Sequence, residues 1–248
     1  MKTVSLASIV ADYRANKLRD ELVGDWGSVV FYRLPASTLA WAAATLGITP
    51  TQLTAAGALM VPLIALSAWF LQPATAMAVV VALALMFNVL DCADGQLARA
   101  TGTSSLSGRY LDFATDIAYR TTAYASLGLI ADHIWPGAAF PWLAVGLCCG
   151  FLATYARLNR IYAGGLWAEV LEPQQPPGAP GKHKAFDTVF SVLSGLDTLL
   201  PLLAFLAWTA GLLWAAMIWF LLYTLGDAAV EVIGNYRKAQ RIDAGGTG

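Results

Sequence analysis

Six stretches of predominantly apolar residues run along the chain, at roughly 51–71, 73–94, 110–131, 138–160, 186–208 and 210–234. Each approaches the 20 or so residues that an α-helix needs to cross the hydrocarbon core of a bilayer. Between them stand Gln72-Pro73, Trp135-Pro136-Gly137, the long stretch 164–184 and Gly211, all signals at which helices stop. With Pro173, Pro176, Pro177 and Pro180, the stretch 164–184 reads as an irregular loop that covers the site described below. The pattern predicts an all-α, polytopic membrane protein with a six-helix bundle over 51–234, forming one membrane-embedded domain over 1–248.

Ahead of the bundle, residues 3–23 read as an amphipathic helix lying on the membrane surface. Leu6, Val10, Tyr13 and Lys17 share one mostly apolar face, and the neighbouring basic residues suit anionic headgroups. A solvated helical leader is the alternative. The apolar patch VSLASIVA is too short for a secretory signal and runs directly into Asp12, Arg14, Lys17, Arg19, Asp20 and Glu21.

Composition agrees with lipid as the solvent. Hydrophobic residues make up 58% of the chain and charged residues 12%, and the mean hydropathy of +0.59 lies outside the range of soluble domains. The 15 Lys and Arg residues sort to one side of a six-span topology, and that bias marks the cytoplasmic face. Both termini and the connection between the second and third runs are therefore expected in the cytoplasm. The three cysteines are expected to pack and not to pair.

Against this background the stretch DCADGQLARATGTSSLSGRYLDFATD, residues 91–116, stands out for its four aspartates. Asp91 and Asp94 are three apart and Asp112 and Asp116 four apart, so each pair occupies one helical face. The 17 residues between Asp94 and Asp112 are few enough to make the two helices antiparallel neighbours. Unpaired carboxylates gathered at a membrane interface repel one another and suffer desolvation. Mg²⁺ or Mn²⁺ resolves that conflict, so the cluster reads as a one- or two-metal site.

Gly95 and Gly108 leave backbone open beside the carboxylates, either for a ligand or for tight helix packing. Arg99, five residues past Asp94, is what a phosphate-bearing substrate requires. Metal, arginine and open backbone together point to a pyrophosphate ligand. His133 falls in a loop far from the aspartates, and His183 in Lys182-His183-Lys184 reads as part of a solvated basic patch. No Ser-His or Cys-His constellation argues for a covalent intermediate.

The spacing Asp91-x2-Asp94-Gly95-x2-Ala98-Arg99-x8-Gly108-x3-Asp112-x3-Asp116 resembles the signature of the CDP-alcohol phosphotransferase family at all eight positions over 26 residues. GITPTQLTAAG, residues 47–57, resembles the segment that opens the family's first helix, although members often carry Asn where this chain has Thr51. The resemblance implies that Asp91, Asp94, Asp112 and Asp116 hold two divalent ions, with Asp116 also acting as general base. It implies that Gly95, Ala98, Arg99 and Gly108 line a CDP pocket, and that a homodimer forms in the membrane. An acceptor hydroxyl would attack the β-phosphorus of a CDP-linked alcohol, and CMP would leave.

Two branches of that family differ in the donor. One passes a phosphatidyl group from CDP-diacylglycerol to a small polar alcohol; the other passes a headgroup from CDP-choline or CDP-ethanolamine to diacylglycerol. Thr101-Gly102-Thr103-Ser104-Ser105 resembles the second branch, while the compact chain with one leader helix is closer to the first, which is the expectation retained. Arg120, Arg157 and Arg160 are candidates for acceptor contact if the acceptor bears phosphate, or else obey the charge bias alone. The partners expected are a CDP-linked lipid donor, the alcohol acceptor and membrane lipid, with no nucleic acid. An aromatic prenyltransferase and a cation transporter are the competing classes. The first would carry a second, distant aspartate motif, and the second would not need Arg99 and commonly shows internal repeats.

Overall fold

The computed structural model describes residues 4–171 and 195–244, and among them every regular element is helical. The helices are α1 Leu6–Asn16, α2 Leu18–Gly24, α3 Trp26–Phe31, α4 Arg33–Leu46, α5 Pro50–Phe70, α6 Pro73–Thr101, α7 Leu106–Ile134, α8 Trp142–Leu171, α9 Leu200–Thr209 and α10 Leu213–Asp243. Three of them, α5, α6 and α10, are long and apolar enough to cross a membrane. That is short of the six spans expected. The α7 and α8 helices have the length, 29 and 30 residues. However, α7 carries Arg109, Asp112, Asp116, Arg120 and Asp132, and α8 carries Arg157 and Arg160. Of the fifth run, residues 186–194 lie outside the described residues, and α9 is only 10 residues long.

Local chemistry sets the ends of the long helices. At α5 the Thr49 side chain accepts from the Gln52 amide while the Gln52 side chain accepts from the Thr49 amide, and Pro50 occupies the first helical position. The α6 helix also opens on proline, Pro73, and closes on Gly102, which takes the left-handed conformation at φ 68°. At about 43 Å for 29 residues, α6 outruns a hydrocarbon core of about 30 Å by roughly two turns. The sequence expectation ended this helix at 94; instead the whole run from Asp91 to Thr101 is helical and only 102–105 form the connection. The proposed loop 164–184 is likewise shorter at its start, since α8 continues to Leu171, and its remainder, with His183, lies outside the described residues.

The α7–α8 hairpin is the tightest seam. Both carboxylate oxygens of Asp132 accept from the first amides of α8, those of Trp142 at 2.6 Å and Leu143 at 2.9 Å. A methyl group at Gly146 would stand 2.3 Å from the Tyr124 carbonyl oxygen, and one at Gly128 would stand 2.3 Å from that of Trp142. Glycine is what allows these backbones to meet. In turn α7 packs on α5, and α8 on α10. Their shared core includes Met77, Phe87, Tyr119, Leu127, Met217 and Phe220.

The N-terminal region departs most from expectation. Residues 3–23 do not form one surface helix: α1 ends at Asn16, and α2, α3 and the 14-residue α4 follow. The buried face of α1 is Ile9 and Tyr13, not the stripe Leu6, Val10, Tyr13 and Lys17. Ile9 packs among Tyr32, Ala36, Ala40, Leu90 and Leu97, so α1 docks on α4 and α6. The Tyr13 hydroxyl donates to Glu21 at 2.9 Å and the Arg33 Nε donates to the same carboxylate at 2.8 Å. Burial and that carboxylate push the Tyr13 phenol well above its ordinary pKa.

Candidate active site

The C-terminal end of α6 and the N-terminal end of α7, joined by four residues, bring the aspartates together. The carboxyl-bearing residues Asp91 and Asp94 of α6 and Asp112 of α7 border one small cavity together with Thr54 of α5. Asp94 is buried and accepts a hydrogen bond from the hydroxyl of Thr54. Asp116 is turned to the other side: Arg120 Nε reaches it at 3.1 Å and Arg157 Nε at 2.7 Å. As the side chains are placed, no three Asp, Glu, His or Cys residues among those described converge as a chelating group. The donor set, four carboxylates in all, suits a hard divalent cation by its chemistry.

On one side of the cluster opens a cavity of about 370 Å³. Its wall contains Asp94, Asp112, Gly95, Ala98, Arg99 and Gly108, so all four residues expected around a nucleotide line one space with two of the aspartates. Gly95 has no packing reason to lack a side chain, because a methyl there would meet only the flexible end of Arg99, at 3.4 Å. Gly108 does have one: its amide donates at 3.0 Å to the Ser105 hydroxyl that caps α7, and a methyl would stand 2.9 Å from that oxygen. Arg99 pairs with Asp12 of α1 at 3.5 Å, and Lys17 adds to the wall. The N-terminal segment therefore borders this cavity.

On the other side of the cluster lie two smaller cavities, of about 90 and 160 Å³, which share Asp25, Arg120, Asp197 and Thr198 as walls. The first touches Asp91 and Asp116; the second is lined by Arg157, Arg160 and Asp227. All three arginines singled out from sequence thus meet in one place. Asp197, Asp25 and Asp227 were missed. Asp197 accepts from Arg120 at 2.8 Å and from the Tyr124 hydroxyl at 2.8 Å. Asp25 caps α3 through the Ser28 amide and accepts from the Thr198 hydroxyl. The available signal was isolation: Asp197 is the only charged residue between Asp187 and Asp227, and a lone charge in an apolar run is functional by default. The aspartates inside the bundle are therefore not confined to residues 91–116.

The family model described as CDP-alcohol phosphatidyltransferase matches residues 47–226, which takes in α5 through the first half of α10 and all four aspartates of the cluster. No curated protein sequence matches the chain significantly.

Proposed function

We propose that this chain, which belongs to the CDP-alcohol phosphatidyltransferase family, transfers a phosphatidyl group from CDP-diacylglycerol to a small polar alcohol and releases CMP. Membership makes it a transferase of substituted phosphate groups acting in phospholipid synthesis, and the three membrane-length helices make it a membrane protein. The reading within the family rests on one observation: the four aspartates stand between a cavity lined by Arg99 and open backbone, which Asp94 and Asp112 border, and a pair of cavities lined by Arg120, Arg157 and Arg160, one of which Asp91 and Asp116 border.

In this reading Asp91, Asp94, Asp112 and Asp116 hold Mg²⁺ or Mn²⁺. When bound, the metal supplies charge neutralisation at the pyrophosphate, where negative charge grows as CMP departs. The chain's own residues do the rest. Arg99 meets the donor phosphate from the α6 wall, and Gly95, Ala98 and Gly108 let the nucleotide lie against backbone. Asp116, fixed by Arg120 and Arg157, takes the proton of the acceptor hydroxyl. Phosphoryl transfer needs positioning and electrostatics more than covalent help, which fits a site without an activated nucleophile. The donor's acyl chains stay in the leaflet beside α5 and the site faces the cytoplasm.

The test is purified protein in detergent with Mn²⁺ and CDP-diacylglycerol against a panel of alcohols, scored by CMP release. CDP-choline with diacylglycerol runs in parallel. Alcohol-dependent CMP release from the first donor supports the reading, and release from the second alone overturns it.

A further inference from the structure

The two sides of the aspartate cluster are charged differently. The larger cavity keeps uncompensated cations: neither Lys17 nor Arg109 has a carboxylate ion-pair partner among the described residues. Among the described residues of the 160 Å³ cavity, three guanidiniums, of Arg120, Arg157 and Arg160, face three carboxylates, of Asp25, Asp197 and Asp227. Each guanidinium is already engaged. Arg120 pairs with Asp197 at 2.8 Å and Arg160 with Asp227 at 3.1 Å, while Arg157 pairs with Asp116 at 2.7 Å. Arg160 is further held by Glu231 at 2.7 Å. These carboxylates are the better buried partners, with Asp227 14% and Arg160 47% exposed at the side chain.

We infer that this second cavity selects an acceptor alcohol of no net charge, a polyol or a zwitterionic hydroxy amino acid, and discriminates against phosphorylated alcohols. The inference rests on the transferase reading above and supplies its acceptor class. A phosphate entering here would have to draw a guanidinium from its carboxylate and leave that buried carboxylate unpaired, which costs more than a rim contact returns. Of the three carboxylates, Asp197 and Asp227 are likewise held by guanidiniums, so among the described residues a simple ammonium finds only Asp25 without one. Hydroxyl groups, each both donor and acceptor, can lie along alternating guanidinium, carboxylate and threonine groups without breaking a pair. Where the chain is to meet pyrophosphate it leaves cations free; here it cancels them.

The experiment measures equilibrium binding of myo-inositol, L-serine, inositol 1-phosphate and sn-glycerol 3-phosphate to the full chain in detergent by calorimetry. It then measures kcat/KM for the same four with CDP-diacylglycerol and Mn²⁺. Uncharged or zwitterionic probes should bind in the millimolar range or tighter and be preferred at least tenfold over the phosphorylated pair. Asp227→Asn, which frees Arg160, should shift that ratio toward the phosphorylated probes by threefold or more. Glu231→Gln should do the same from the outer side, should the first variant fail to fold. Preference for a phosphorylated probe, absence of binding by both uncharged probes, or a ratio unmoved in the folded variants overturns the inference. Probe binding with the predicted preference but no CMP release from any donor would remove the transferase reading and leave the charge selectivity standing.

Discussion

The guanidinium of Arg157, on α8, stands 2.7 Å from the carboxylate of Asp116, on α7. Arg120, one turn along α7, approaches the same carboxylate at 3.1 Å and passes on to Asp197 at 2.8 Å. Asp116 is thereby the point at which the aspartate cluster meets the arginine-lined side. Its place suits a group that acts on the acceptor, whereas Asp94 and Asp112 line the donor cavity and Asp91 stands between the two sides.

That division separates two measurements. Asp116→Asn should lower kcat by about 10²- to 10⁴-fold, the usual worth of a positioned base, while the affinity for CDP-diacylglycerol changes little. Arg99→Ala should do the reverse and chiefly weaken the donor. Equal loss of donor affinity in both variants would make Asp116 a plain ligand of the donor complex.

The carboxylates expected to hold metal give a second outcome. Asp91→Asn, Asp94→Asn and Asp112→Asn should each reduce CMP release by roughly 10²-fold or more, with the protein still inserting and purifying, and a chelator should abolish turnover in the parent. Two of the three variants retaining activity would dismiss the metal assignment.

How much of this was legible in the sequence depended on local spacing. The four aspartates could be read because two short intervals, three and four residues, set them on helix faces that a brief connection folds together. The α4 helix was not legible, since its 14 residues are too few for a span and its buried stripe, Ala36, Ser37, Ala40 and Ala43, is too small-sided to mark a face. The burial of α1 through Ile9 was likewise hidden, because which face of a weakly amphipathic helix is covered depends on what docks against it. Asp25 and Asp197 come together only through a non-local contact: a methyl on Gly27 would stand 2.3 Å from the Gly195 carbonyl oxygen, so their backbones nearly touch. Nothing in either flanking segment encodes that approach.

The α7–α8 seam supplies a stability test with an internal control. Gly146→Ala places a methyl against the Tyr124 carbonyl oxygen and should cost about 1–3 kcal/mol through overpacking. Gly234, on α10, has nothing within 4 Å of the same position, so Gly234→Ala should be neutral or gain up to about 1 kcal/mol from helix propensity. Thermal unfolding in detergent checks both, and equal melting temperatures would mean that the close approach does not bear on stability.

Access to the donor cavity can be probed from outside the protein. Thr103 is exposed in the four-residue connection after α6 and lines that cavity. In the proposed topology this connection faces the cytoplasm. With Cys92, Cys148 and Cys149 replaced, Thr103→Cys should react with a membrane-impermeant thiol reagent in inverted vesicles and stay unmodified in intact cells. CDP-diacylglycerol with Mn²⁺ should slow the reaction severalfold by filling the cavity beside it, and the metal alone should have a smaller effect. Labelling in intact cells would reverse the topology. Labelling from the cytoplasmic side that is indifferent to the donor would instead separate this cavity from donor binding, even if turnover were observed.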